Sequence, residues 1–460
     1  MNRLKLIYGF CKAKQNVKLS AGALQKKQEK LLRRILRYAY CYSDYYRQSF
    51  TDAGITEQNI NTLPLSAFPT INKTVLLENF EALVTEEDIT QEALLAFDDG
   101  HKGKNGLYQG KYHIVHSSGS TGKPGYFLYD KNAWDSMLIG IIRAALWDLS
   151  VFDIIKLLKG KPRILYVAAT DGLYGGTMAV GDGVSGLGAS QLHLDVNTPL
   201  SDWVESVRNF KPNIVIGYPS AIKILGELAV KGKITVEINR IITCGEPLGT
   251  NARHYFESVF GAKVLNFYGA SESLALGVEE NAKDGMILFD DMNIIEVEDG
   301  NMYLTSLYNF AQPLIRYQLT DHIMLCSADK SSECSFSRVS GLIGRNEDVL
   351  WFTHNGVRDF LHPLSVEGIC IDGLVDYQFR KTADAAFEMF AEISENADRE
   401  RIENQIRRQM DSIMQKKKLN DIQYTITFVK QILPDSATGK KRLILPDTEK
   451  ERTPDEKYTA

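Results

Sequence analysis

Apolar residues recur with a helical period over residues 24–45. Leu24, Leu31, Leu32, Ile35, Leu36 and Ala39 fall on one face, with Lys and Arg on the other. That basic face reads as a solvated surface. A loop-rich stretch from Tyr45-Tyr46-Arg47 to Thr74 is expected next, then a helix over 77–90. Beyond residue 111 the pattern changes. Short apolar runs at 111–115, 126–129, 164–168, 213–218, 241–244 and 264–268 read as strands. Helical patterns at 133–147, 203–210 and 220–230 lie between them, and 171–188 is a glycine-rich segment. Such alternation predicts an α/β architecture of layered sheets and helices around a largely parallel sheet. Ligands in such folds sit beyond the carboxyl ends of the strands, which gathers Glu246, Tyr268 and Glu272 at one crevice.

Residues 286–321 read as short strands and turns. Near Gly344-Arg345-Asn346-Glu347-Asp348 the character shifts again. Strands, one charged helix (398–417) and a last strand (423–429) follow, which suits a small α+β domain. We therefore expect a large N-terminal domain, 1–344, and a small C-terminal domain, 345–460, with a disordered polar tail after Glu451.

Composition narrows the partners. The 460 residues are 44% apolar and 24% charged, with 53 basic against 58 acidic side chains and net charge -5. No nucleic-acid footprint follows from that balance. The apolar run 6–10 is too short for a signal peptide. Residues 137–152 are too short to span a bilayer and contain Arg143 and Asp148, so no membrane partner is expected. Six scattered cysteines read as reduced thiols of a cytoplasmic protein. Cys326 and Cys334 supply at most half of a zinc site, and no His-Glu-x-x-His occurs.

The densest chemistry lies in His116-Ser117-Ser118-Gly119-Ser120-Thr121-Gly122-Lys123-Pro124-Gly125. Small side chains let backbone approach a polyphosphate, hydroxyls and N–H groups donate, and Lys123 adds charge. Only two residues separate Gly119 and Gly122, and Pro124 stands where a Walker loop needs Ser or Thr. Strands on both sides also differ from a Walker strand–loop–helix. The alternative reading is a flexible Gly/Ser turn.

Four further motifs follow in order: Tyr268-Gly269-Ala270-Ser271-Glu272, Arg316-Tyr317-Gln318-Leu319-Thr320-Asp321, Gly344 to Asp348, and Pro434-Asp435-Ser436-Ala437-Thr438-Gly439-Lys440. With the loop, they resemble the adenylate-forming enzymes: acyl-CoA synthetases, peptide-synthetase adenylation domains and luciferases. Residues 25–47, Gly245-Glu246-Pro247, 284–291 and Pro313-Leu314-Ile315-Arg316-Tyr317 resemble the phenylacetate–CoA ligase branch, which includes capsule-biosynthesis-type homologues. The resemblance spans nearly the whole chain. It implies a small C-terminal domain that moves.

By that resemblance, Ser117, Ser118, Gly119, Ser120, Thr121, Gly122 and Lys123 hold the phosphates of ATP. Gly245, Glu246 and Pro247 line the adenine slot, and Tyr268, followed by Gly269, stacks on the base. Asp321 accepts from the ribose hydroxyls, Arg345 binds ribose or phosphate, and Glu272 is a Mg2+ ligand. Lys440 reaches the carboxylate and α-phosphate, and Glu347 is the hinge. Tyr174, Tyr218, Ala270 and Ser271 are expected along the acid pocket, with Tyr166 nearby. Each residue also has an ordinary structural reading: Glu272 at a helix start, Asp321 in a turn, Arg345 and Lys440 on a solvated surface.

Four features depart from the pattern: Ser120 takes a threonine-type position of the loop, the subgroup's paired cysteines are not present as Cys-x-Cys, and two more lie at the later motifs. Gln318-Leu319-Thr320 replaces the usual Arg/Thr/Gly run, and Glu347 stands where many relatives have Asp or Lys. The resemblance implies ATP-dependent adenylation of a small carboxylic acid, aryl or arylacetic by subgroup. Acyl transfer to coenzyme A or to a carrier protein's phosphopantetheine, supplied in trans, completes it. Amide or ester formation from the same adenylate, and a non-catalytic nucleotide-binding homologue, are the alternatives.

Overall fold

A computed structural model describes residues 3–100, 106–117, 125–168, 170, 175–185, 189–195, 198, 200–281, 283–298, 301–319, 321–325, 334–345, 350–354, 357–361, 366, 369, 371–395, 397–416, 419–433 and 442–445. They fall into two compact units, one drawn from Met1–Glu246 and Phe256–Gly341, the other from Pro247–Tyr255 and Leu342–Ala460.

The larger unit is built on a nine-stranded sheet. From one edge its strands are Asp321–Leu325, Arg338–Arg345, Met286–Leu288, Ser273–Glu279, Lys263–Ala270, Arg240–Thr243, Ile214–Gly217, Arg163–Ala168 and Ser190–Asp195. The last five are parallel to one another, and Ser273–Glu279 joins antiparallel to both neighbours. The parallel strands are nearly continuous apolar runs because helices cover both faces. All four residues of Arg240–Thr243 are buried, as are five of six in Arg163–Ala168. Helices Lys131–Ala145, Leu200–Phe210 and Pro219–Val230 turn apolar faces inward, with Trp134, Trp203, Val207, Ile222 and Leu225 buried.

Two smaller sheets accompany it. Asn293–Glu298, Asn301–Ser306 and Tyr317–Leu319 form an antiparallel trio. His113–His116 pairs antiparallel with Tyr126–Tyr129, setting His116 opposite Tyr126. The second unit holds a four-stranded sheet in the order Gln423–Val429, Ala386–Ile393, Leu374–Ala383 and Ile444–Leu445, and an antiparallel pair, Leu350–His354 with Val357–Leu361. Helix Arg399–Lys416 contributes Ile402, Ile406, Met410 and Met414, at helical spacing, to a core with Phe379, Phe387 and Met389.

The α/β class and most elements appear as the pattern predicts, with three local differences. The stretch after Tyr45 is not loop throughout. Ser43 caps helix Asp44–Asp52, accepting from Tyr46 N at 3.3 Å, and Tyr46 and Phe50 are buried. The helix expected over 77–90 is two short pieces, Lys73–Glu78 and Phe80–Leu83, divided at Asn79. The glycine-rich segment contains a helix, Gly175–Ser185, because Met178, Ala179 and Val180 have a buried face to fill. No helix among the described residues is long and apolar enough to cross a membrane. The tail after Glu451 lies outside the described residues.

Candidate active site

The antiparallel pair carrying the phosphate-loop motif closes that loop at its base. Ser117 N donates to the Gly125 carbonyl at 2.9 Å, and Gly125 N donates to Ser117 Oγ at 2.8 Å. Residues 118–124, hence Ser118, Gly119, Ser120, Thr121, Gly122 and Lys123, lie outside the described residues, as do Tyr174, Glu347 and Lys440. Arg345 ends the strand Arg338–Arg345.

The Tyr-Gly-Ala-Ser-Glu motif forms the turn between the strands Lys263–Ala270 and Ser273–Glu279, with a register shift between Tyr268 and Ala270. Gly269 is required there, since a Cβ would stand 2.5 Å from the Leu274 carbonyl oxygen. Ser271 Oγ donates to the His116 carbonyl at 3.2 Å, and the Tyr129 hydroxyl donates to the Ser271 carbonyl at 2.8 Å. The turn is thereby fastened to the base of the Ser/Gly-rich loop. Tyr268, 6% exposed, donates its hydroxyl to Asp321 Oδ2 at 2.8 Å. Two residues 53 positions apart thus meet.

Glu272 lies beside the hydroxyl of Tyr317. Burial pushes that phenol far above its ordinary range, and the nearby Glu272 carboxylate, to which it hydrogen-bonds, pushes it further. The Tyr129 phenol is raised too, by burial first and then by Tyr308 and Glu272. Among the described residues no three His, Cys, Asp or Glu side chains gather to hold a metal. Mg2+ takes most of its oxygens from phosphates and water and needs only one or two carboxylates, so Glu272 fits the expected ion.

Gly245 and Glu246 follow the strand Arg240–Thr243. Gly245 has φ 76°, and a Cβ there would come within 2.6 Å of the Tyr218 ring. Glu246 receives Ser220 N at 2.9 Å and Ser220 Oγ at 2.8 Å. Its carboxylate therefore caps the start of helix Pro219–Val230, where unpaired N–H groups favour an anion. Tyr218, the residue before that helix, is buried, as is Tyr166 on the neighbouring strand; burial holds the Tyr166 phenol well above its usual range.

Tyr268, Ser271, Glu272 and Asp321 are thus brought together with the loop base, and Tyr218, Gly245 and Glu246 form a second group. Sequence reasoning missed the partners Tyr129, Ser220 and Tyr317; all three are ordinary core or helix-start residues by pattern, and only Tyr317 lies within a recognised motif. Arg316, in the same motif, points elsewhere. It is buried with φ 48° and binds Glu296 at 3.2 Å, Glu298 at 2.5 Å and the carbonyls of Ser66 and Phe68 at 3.1 and 3.0 Å.

No protein-family model matches the chain. A phenylacetate-coenzyme A ligase of Pseudomonas putida is 26% identical over 357 residues, 72% of this chain and 72% of that protein. The phenylacetate-coenzyme A ligase of Escherichia coli (strain K12) is 25% identical over 359 residues, 72% of this chain and 73% of that one. Over nearly three quarters of its length this chain is similar to the phenylacetate–CoA ligases. A solved structure of 2-hydroxyisobutyryl-CoA ligase, in the postadenylation state with R3-HIB-AMP, matches with TM-score 0.69 and 19% identity, covering 92% of this chain and 89% of that one. The fold is that of the adenylate-forming enzymes, as the five motifs predict.

Proposed function

We propose that this chain adenylates a small carboxylic acid with ATP and passes the acyl group to a thiol. Aryl and arylacetic acids are the first substrates to try. The supporting observation is the fastening of Ser271 to His116 at the loop base, beside Tyr268–Asp321 and Glu272. In this reading those contacts would hold the assigned phosphate loop, ribose acceptor and magnesium carboxylate in a common frame.

Chemistry needs such a frame because two anions must meet. A carboxylate oxygen attacks the α-phosphorus, and the bond to pyrophosphate breaks. Cations must neutralise that approach. In our assignment Lys123 and the loop hydroxyls hold phosphates, Glu272 holds Mg2+, and Asp321 accepts from the ribose. Lys440, on a mobile domain of 345–460, reaches the carboxylate and α-phosphate, with Arg345 at ribose or phosphate and Glu347 as hinge. Mg2+ supplies charge neutralisation when bound. Tyr174, Tyr218, Ala270 and Ser271 line the acid pocket. Coenzyme A is the first acceptor, and a carrier protein's phosphopantetheine in trans the second.

The test is acid-dependent ATP–pyrophosphate exchange across a panel of carboxylic acids. Lys440→Ala should lose at least about two orders of magnitude, the scale for one transition-state donor, with ATP affinity retained. Glu272→Gln should raise the Mg2+ requirement. Wild-type exchange in Lys440→Ala sinks the lysine's role, and an unchanged Mg2+ titration sinks that of Glu272.

A further inference from the structure

Charge along this chain is uneven. Residues 1–47 carry twelve Lys and Arg against two Asp and Glu, although the whole chain is net -5. The N-terminal helix, Arg3–Asn16, packs on helix Lys131–Ala145, and Leu6, Phe10, Ile142, Leu146 and Ile154 form one apolar cluster that also takes in helix Val151–Lys159. Four large apolar side chains on the first and last of these helices turn outward instead: Ile7 is 58% exposed, Tyr8 69%, Phe152 76% and Ile155 48%. Exposed lysines flank them, Lys12 and Lys18 near the first helix and Lys156, Lys159 and Lys161 on or after the last. Residues 3–18 contain no acidic side chain, and 151–161 contain only Asp153, which is engaged in a capping box with Ser150. Phe152 and Lys156, like Ile155 and Lys159, are four apart and share a helix face.

We propose that this surface docks on an anionic lipid surface. Aromatic and aliphatic side chains rimmed by lysines suit the boundary between headgroups and acyl chains. A second copy of the same surface would bring like charges together. A carrier protein must reach the crevice beyond Gly245 and Glu246, at the carboxyl end of strand Arg240–Thr243. This surface is at the other end. Arg240 opens that strand, and its guanidinium bonds Asp148 at 2.7 and 3.1 Å and the Ala145 carbonyl at 3.3 Å, just ahead of Val151–Lys159. Lipid docking there leaves the crevice open.

Co-sedimentation of the full chain with vesicles tests this. Mixed phosphatidylglycerol and phosphatidylcholine vesicles should retain it at low ionic strength, phosphatidylcholine alone should not, and added salt should weaken retention. Lys156→Gln and Lys159→Gln should each weaken retention roughly fivefold. The double variant Tyr8→Glu, Phe152→Glu should lose at least about tenfold, and Phe152→Ser alone most of that. Unchanged thermal melting separates lost docking from lost fold. Equal retention on both vesicles, no effect of these variants, or a solution dimer that Phe152→Glu converts to monomer overturns the proposal, as does retention by an acidic carrier protein and not by vesicles.

Discussion

Tyr268→Phe removes one oxygen and keeps the ring. The deleted hydroxyl donates to Asp321 Oδ2 at 2.8 Å from a side chain that is 6% exposed. A hydrogen bond to an ionised group contributes about 1.5–3 kcal/mol. The bottom of that range applies, because Asp321 is only partly buried and water replaces part of the loss. About 1.5 kcal/mol is roughly tenfold in an equilibrium constant. If Asp321 holds the ribose, Tyr268→Phe should raise the KM for ATP in pyrophosphate exchange about tenfold. The kcat should move less than about threefold, the pattern for lost uniform binding. Calorimetric titration with ATP should give the same tenfold change in Kd. A lower melting temperature with unchanged ATP affinity would refute the reasoning, since the bond would then serve the fold alone.

Three other outcomes follow from particular contacts. Arg316→Ala leaves Glu296, Glu298 and two carbonyls without their donor; urea unfolding should show a loss of about 3 kcal/mol, at the low end for a broken buried pair because Glu298 is half exposed. Asp290 is pushed up to about 6 from 3.8, by burial first, against the hydrogen bond from Ser337 N at 2.6 Å. Its protonated form is favoured by folding, so its contribution is fully present below about pH 4 and is lost as pH rises through about 6. Asp290→Asn should therefore stabilise the chain at pH 8 by roughly 1–3 kcal/mol and leave it unchanged near pH 4, as measured by thermal melts at both pH values. Glu347→Pro fixes one torsion at the proposed hinge, so adenylate should still form while transfer to thiol fails; equal loss of both half-reactions would count against a hinge there.

Much of the large unit was legible because buried parallel strands write themselves as apolar runs. Ile164 to Ala168 and Ile241 to Thr243 show this directly. The helix Gly175–Ser185 was not legible, because its glycines mask a face that tertiary burial of Met178 and Val180 decides. Helix Asp44–Asp52 was hidden by polar residues, and its cap, Ser43, is a single hydroxyl. Short motifs picked out Tyr268, Ser271, Glu272 and Asp321 as site candidates. Motifs could not show that Tyr268 spends its hydroxyl on Asp321 or that Glu246 caps a helix at Ser220. Such pairings join residues 53 and 26 positions apart, and only the folded chain sets them side by side. Arg316 marks the opposite limit: a motif arginine whose bonds all go to the scaffold.

Following the phosphorus of ATP tests the central claim most directly. Purified chain is incubated with ATP, Mg2+, coenzyme A and an arylacetic acid, and the products are separated. The account predicts AMP and pyrophosphate in step with acyl-CoA, each dependent on the acid. ADP and phosphate as the products, or AMP release that does not depend on any acid in the panel, would contradict it.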